Sequence, residues 1–236
     1  NWAEDSKPLY DTWKYLYKVI VFSNDGLSTI ERHKQLLTDE QYKTYKAEVR
    51  AIRALYYYYL MDMFGNIPLV TTVNEDTENA EQASRPEVYK FIVKELQEVA
   101  PLLPTGHSNH AGVYYGRVTR SVANFLLAKL MLNGEVYSDA NWTDNQRPDG
   151  RQTYFTVDGR QMNIWQACKH YCDKVTADGF TLAPDYLSNF YVHNEDSPEN
   201  IFIIPLDKHL YKSQFQYLFR SRHYSHGGAF GTSSEN

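Results

Sequence analysis

The sequence predicts an all-α fold of helices paired antiparallel, with long loop insertions and a short strand or hairpin. Three observations carry that expectation. Five segments repeat apolar residues at spacings of three and four, the second of them carries a separate stripe of alanines, and only two short runs have strand character. Spacings of three and four put side chains on one helical face, and small residues let a neighbouring helix approach closely.

The first segment, residues 8–31, sets Leu9, Trp13, Leu16, Ile20, Asn24 and Leu27 on one stripe. Asn24 is expected there as a satisfied buried amide or a hydrogen-bonding point between helices. The second segment opens with Thr38 and Gln41 in a capping-box pattern and continues through Tyr42, Tyr45, Val49, Ile52, Tyr56, Tyr59 and Met63. Ala47, Ala51 and Ala54 form an adjoining small-residue stripe, so this helix should lie between two others. Gly65 ends it, and Pro68 follows as a stop.

Residues 70–83 are polar and read as a loop. Ser84, Pro86 and Glu87 then supply a cap, an early-turn proline and a capping-box acid. The third helix runs to about Leu103, with Val88, Phe91, Ile92, Glu95 or Leu96, Val99 and Leu102 facing inward. A fourth, from about Thr119 to Tyr137, buries Ala123, Leu126, Leu127, Leu130 and Met131, and a fifth, from about Met162 to Asp178, uses Trp165, Cys168, Cys172 and Val175. Between them, residues 138–160 form a polar insertion in which the strand-like run Tyr154–Val157 meets the turn signal Asp158-Gly159. Ile201–Ile204 is too short for a helix and reads as a buried strand. Five helices in pairs suggest repeats of the tetratricopeptide type, but the 34-residue period is not clean, which leaves paired stacking with insertions.

A net charge of −5 argues against a nucleic-acid surface, which needs clustered Lys and Arg. No apolar run reaches the roughly 20 residues that span a bilayer. The chain opens at Asn1 without methionine or signal peptide and closes at Asn236 in a Gly/Ser-rich stretch, so it reads as an excerpt of a longer protein. Cys168 and Cys172 lie four apart on one helix, in poor orientation for a disulfide. They read as a buried apolar pair, with metal binding as the alternative. The 20 tyrosines are the most unusual feature of composition; a flat apolar ring with a polar tip suits both half-wet cores and binding surfaces.

The segment from Ala47 to Leu60, followed by Met61 to Leu69 with its Gly65-Asn66-Ile67-Pro68, resembles the signature of SusD/RagB-like proteins, outer-membrane nutrient-binding lipoproteins of Bacteroidetes. Further pieces fall in that family's order: Ser84 to Tyr89 opening a helix that closes Leu102-Leu103-Pro104, Gly116 to Arg120 before a helix ending Glu135-Val136-Tyr137, and Glu199 to Phe202. The resemblance covers nearly the whole chain, taken as one incomplete SusD-like helical-repeat domain over residues 1–236 and about half of a typical member. It implies a non-catalytic scaffold that docks beside a SusC-like TonB-dependent transporter, holds oligosaccharides or polysaccharides for import, and sits on the cell surface through an N-terminal lipid anchor outside this chain. It implies no cofactor. Within the signature, Arg50 and Arg53 are expected to bond neighbouring carboxylates or backbone, building the scaffold and not the site.

Sugar recognition needs flat aromatic faces ringed by planar hydrogen-bonding groups, carried on loops of a rigid frame. Two stretches fit that need. The tail places Tyr217, Phe219, Arg220, Arg222, His223, Tyr224 and His226 before Gly227-Gly228, and the resemblance supports this region as ligand surface. The insertion places Asn141 and Trp142 beside Asp144. Trp2 lies next to an upstream segment that often holds binding aromatics in the family.

Two other classes compete with capture. An all-helical glycoside hydrolase would need two carboxylates across a cleft, for which Asp144 with Asp149, or Asp185 with Glu195, can be named. A tetratricopeptide-type peptide scaffold would need a groove of exposed Asn, Lys and Arg. His107 and His110 lack the further ligands of a closed zinc site and read as part of a solvated loop.

Overall fold

The computed structural model describes residues 7–73, 80–191 and 193–205. The chain divides into one unit over Asn1–Ile203 and another over Ile204–Asn236. The architecture that follows is that of the first unit.

The helices α1 (Lys7–Arg32) and α2 (Asp39–Phe64) are joined by a 3₁₀ turn at Lys34–Leu36. They run antiparallel. At one end the Glu31 carboxylate accepts from Tyr42 Oη at 2.7 Å and Lys46 Nζ at 3.1 Å, and at the other Trp13 meets Phe64 edge-on with ring centroids 4.9 Å apart. The stripe of α1 is as expected, with Leu16, Ile20 and Asn24 buried. Asn24 is satisfied on both sides: its Nδ2 donates to the Val70 carbonyl and its Oδ1 accepts from Arg53. The Thr38–Gln41 capping box opens α2, and Gly65, at φ 76°, closes it with a backbone conformation that costs a residue without Cβ little.

The inward face of α2 differs from the expected one. Ala47, Ala51, Ala54, Tyr57, Tyr58, Leu60 and Met61 are buried, whereas Tyr45, Tyr59 and Met63 of the tyrosine stripe are exposed and Tyr42, Ile52 and Tyr56 are half-buried. The alanines allow close packing, so they take the centre. The tyrosines flank it and keep their hydroxyls near water.

Beyond Gly65 the two-residue strands β1 (Ile67–Pro68) and β2 (Gln82–Ala83) pair antiparallel, so the expected loop over 70–83 ends in a ladder. That ladder delivers Ser84 to the start of α3 (Arg85–Val99), where the predicted capping box with Glu87 is present. Ser84→Ala is expected to cost about 1 kcal/mol of unfolding free energy in urea titrations, because it orphans an N-terminal amide of α3. A 3₁₀ turn at Ala100–Leu102 follows. Leu103, not Leu102, takes the buried position there.

The predicted fourth helix is two: α4 (Arg120–Leu132) and the short α5 (Gly134–Tyr137). The break falls at Asn133, with φ −99° and ψ 15°. A Cβ on the following Gly134 would lie 2.9 Å from the Tyr89 hydroxyl and from Ile164 Cδ1, so the chain comes closest to its neighbours where it carries no side chain. The inward residues of α4 are those expected.

The hairpin β3 (Tyr154–Val157) and β4 (Arg160–Asn163) turns at Asp158 and Gly159, both with positive φ. That pair of conformations suits the right-handed twist of the flanking strands. The hairpin runs directly into α6 (Ile164–Ala177), capped by Asn163 and Gln166. The buried face of α6 is Ile164, Ala167, Tyr171 and Val175: Val175 is as expected, and the other three positions lie one residue before the expected Trp165, Cys168 and Cys172. Trp165 is left 38% exposed, Cys172 is exposed, and Cys168 is half-buried. The buried cysteine pair is therefore corrected: both thiols are free, and the small residue facing inward is Ala167.

Successive helices pack in chain order, α1 on α2, α2 on α3, α3 on α4 and α4 on α6. Ile201–Ile204, read as a buried strand, forms none: residues 201–205 are irregular, and Ile204 is 69% exposed. Just before it, the Thr181 amide donates to the Pro198 carbonyl at 3.0 Å, which ties the intervening segment to itself. The expected solvated loop around His107 is also corrected. His107 stacks on Phe180 with ring centroids 4.2 Å apart, and Ser108 and Asn109 are fully buried.

Candidate ligand-binding loop

Residues 138–152 leave the end of α5 and return over the start of α6, carrying the predicted Asn141 and Trp142. The loop is organised around Asp139, which is 7% exposed. Its Oδ1 accepts from the Asn141 amide at 2.9 Å, its Oδ2 pairs with Arg147 at 3.3 Å, and its carbonyl accepts from Arg85 at 2.8 Å. Asx-type turns of this kind substitute a side-chain bond for a backbone one. Arg147 also donates to the Trp142 carbonyl at 2.7 Å, gripping the loop from inside.

Trp142 itself is 68% exposed, on a backbone held from both sides. Asn141 is exposed too, but its Oδ1 is engaged by the amide and hydroxyl of Thr143, at 3.3 and 2.6 Å. Its Nδ2 has no bond among the described residues and can serve a hydroxyl acceptor. The loop closes where the Gly150 amide donates to Glu135 Oε1 at 2.8 Å. A Cβ at Gly150 would lie 2.7 Å from the Trp165 indole, so a second, partly exposed tryptophan borders the same loop. Sequence reasoning missed Trp165 because helical spacing assigned it to the core; its place just after the hairpin turn was the available signal.

Trp2, Tyr217, Phe219, Arg220, Arg222 and Tyr224 lie outside the described residues, as do His223 and His226. The structure thus brings Asn141 and Trp142 together and does not bear on the tail. Three of the four carboxylates named for hydrolysis serve local turns. Asp144 Oδ1 accepts from the Gln146 amide, Asp149 Oδ1 from the Arg151 amide, and Asp185 from the Leu187 amide and the Tyr191 hydroxyl, while Glu195 lies near His193. Among the described residues no group of three or more His, Cys, Asp or Glu side chains could hold a metal ion, and no helix is long and apolar enough to cross a membrane.

The signature arginines serve the frame, as expected. Arg50 binds Glu95 at 2.5 Å and also Glu98, while Arg53, 6% exposed, binds Glu95 at 2.7 Å, Asn24 at 2.8 Å and the Thr71 carbonyl at 2.8 Å. Arg117 adds a pair to Glu48 at 2.6 Å.

A SusD-like family model described as "Starch-binding associating with outer membrane" matches residues 1–132, more than half of the chain. The starch-binding protein SusD of Bacteroides thetaiotaomicron is 25% identical over 167 residues, covering 68% of this chain and 24% of that protein. A SusD-like carbohydrate-binding protein of Bacteroides fragilis superposes with a TM-score of 0.66 at 22% identity, over 85% of this chain and 34% of its own. Surface glycan-binding protein A of Bacteroides thetaiotaomicron, solved with laminarihexaose, gives 0.59 at 23% identity, over 81% and 34%. The chain thus spans about a quarter to a third of these relatives, less than the half expected from sequence.

Proposed function

Given that this chain belongs to the SusD-like family, we propose that it captures neutral oligosaccharides or polysaccharides at the bacterial cell surface, without chemistry, for a SusC-like TonB-dependent transporter. The observation that carries this reading is Trp142, an exposed indole on a loop braced by Asp139 and Arg147. An indole face held in water by a stiff loop loses little freedom when a pyranose stacks on it. Asn141 stands next to it with an amide free to meet a hydroxyl. Two of the family's related proteins bear names of starch and glycan binders, which supports the ligand class. The tail aromatics Tyr217, Phe219 and Tyr224 are proposed as further contacts in the same role. Surface retention is assigned to a lipid anchor upstream of this chain.

Calorimetry with the full-length protein against plant, host and microbial glycans tests the proposal. Binding is expected to be weak and without turnover. Trp142→Ala should weaken it about tenfold, the loss of roughly 1.4 kcal/mol expected for one stacking ring. Equal affinity in the variant would sink the loop reading, and release of reducing sugar would sink the non-catalytic one.

A further inference from the structure

Between α3, α4, α6 and the β3–β4 hairpin lies a cleft of about 510 Å³ that neither the family signature nor the tryptophan loop uses. Two ion pairs border it. Arg120 holds Asp178, to which Ser121 Oγ also donates at 2.7 Å, and Lys174 holds Asp158 at 2.6 Å, with His170 Nε2 at 2.8 Å. Lys174 keeps the Asp158 carboxyl below its usual range, and at Asp178 the bonds from Arg120 and Ser121 outweigh the upward push of burial. The charges are therefore matched inside the wall, and an ionic ligand would have to break a pair to bind.

What the wall leaves unmatched is neutral. Asn124 on α4, 2% exposed, lines the cleft, and its side-chain amide forms no hydrogen bond among the described residues. An amide so deeply placed is normally bonded, because leaving it unpaired is costly. Beside it, Gln97 Nε2 donates to the Thr156 carbonyl at 2.9 Å and to Tyr171 Oη at 3.0 Å, which leaves its Oε1 unpartnered among the described residues. Ala100, Pro101 and Leu127 supply an apolar floor.

We propose that this cleft is a second ligand site, which takes a neutral polyhydroxylated molecule of mono- to disaccharide size. Hydroxyls both donate and accept, as the Asn124 amide and the Gln97 carbonyl require, while the CH face of a sugar ring covers Leu127 and Pro101. The volume falls in the range of small-molecule pockets, about 300–1,000 Å³. The proposal shares with the loop reading only the premise that the protein handles neutral glycans.

The test is calorimetry on the full-length protein with maltose and cellobiose, and with glycine and inorganic phosphate as charged probes. A disaccharide is expected to bind wild type and Trp142→Ala alike, and to bind Asn124→Leu at least tenfold more weakly. Ala177→Trp, at an exposed lip position, should cause the same loss without a change in melting midpoint, which guards against a folding defect in the first variant. Unchanged disaccharide affinity in both cleft variants would overturn the proposal. So would failure of wild type to bind either disaccharide while Trp142-dependent polysaccharide binding persists, a result that leaves the loop reading intact. Binding of glycine or phosphate that Asn124→Leu abolishes would overturn the neutral ligand class.

Discussion

Glu95→Ala is expected to lower the unfolding free energy by about 3–5 kcal/mol, the usual result of removing one partner from a buried ion pair. Glu95 is 8% exposed and lies between two guanidinium groups, with Arg50 at 2.5 and 3.2 Å and Arg53 at 2.7 Å. Without the carboxylate, Arg53 keeps its charge in a buried position and retains only Asn24 and the Thr71 carbonyl among these partners. Urea denaturation measures the loss. Glu98→Ala is the control: that side chain is 46% exposed, and its removal should cost under about 1 kcal/mol.

The same cluster sets an acid limit. Burial pushes the Glu95 carboxyl up, but the hydrogen bonds and charges of Arg50 and Arg53 outweigh it and hold the group below its ordinary 4.5. A carboxyl lowered in the folded state stabilises fully above its unfolded value, and that stability is lost as pH falls through the folded value. Wild type should therefore lose stability below about pH 4.5 more steeply than Glu95→Ala, which lacks the group. Parallel pH profiles for the two would contradict the assignment.

Tyr57→Ala should cost a similar amount, about 3–5 kcal/mol. The side chain is fully buried, meets Phe91 edge-on with centroids 5.6 Å apart, and fills space between α2 and α3. Its hydroxyl also serves both backbone groups of Val70, donating to the carbonyl at 2.6 Å and accepting from the amide at 2.8 Å. Tyr57→Phe separates the two contributions: it keeps the ring and orphans the Val70 amide, while the Val70 carbonyl still accepts from Asn24, for about 1–3 kcal/mol. A phenylalanine variant as stable as wild type would mean that water reaches Val70 once the hydroxyl is gone.

Capping boxes, proline and glycine made the helix ends legible in sequence, because each acts within a few residues: Thr38 with Gln41, Ser84 with Glu87, and Gly65 all stand where local chemistry puts them. The inward faces were harder to read. Tyr42, Tyr45, Tyr56 and Tyr59 have the right spacing for a core stripe, but an amphipathic ring is as stable on a wet flank, and the alanines decided the centre. On α6 the first three inward positions moved by one residue, Val175 staying as expected, because Ile164 begins the helix against the core, which turns Trp165 toward the loop. Periodicity finds a stripe but leaves a neighbour one position away undecided when both are large. The cleft was not legible at all. Gln97, Asn124 and Tyr171 come from three different helices and meet only through tertiary packing.

The tryptophan loop is stitched largely to itself, through Asp139, Asn141 and Arg147, and reaches the helices through Arg85 and Glu135. On the proposed reading of this loop, recognition and endurance are thereby separated in the molecule. Substitutions at the loop's rim can then be sampled over generations while the inherited scaffold goes on folding as before.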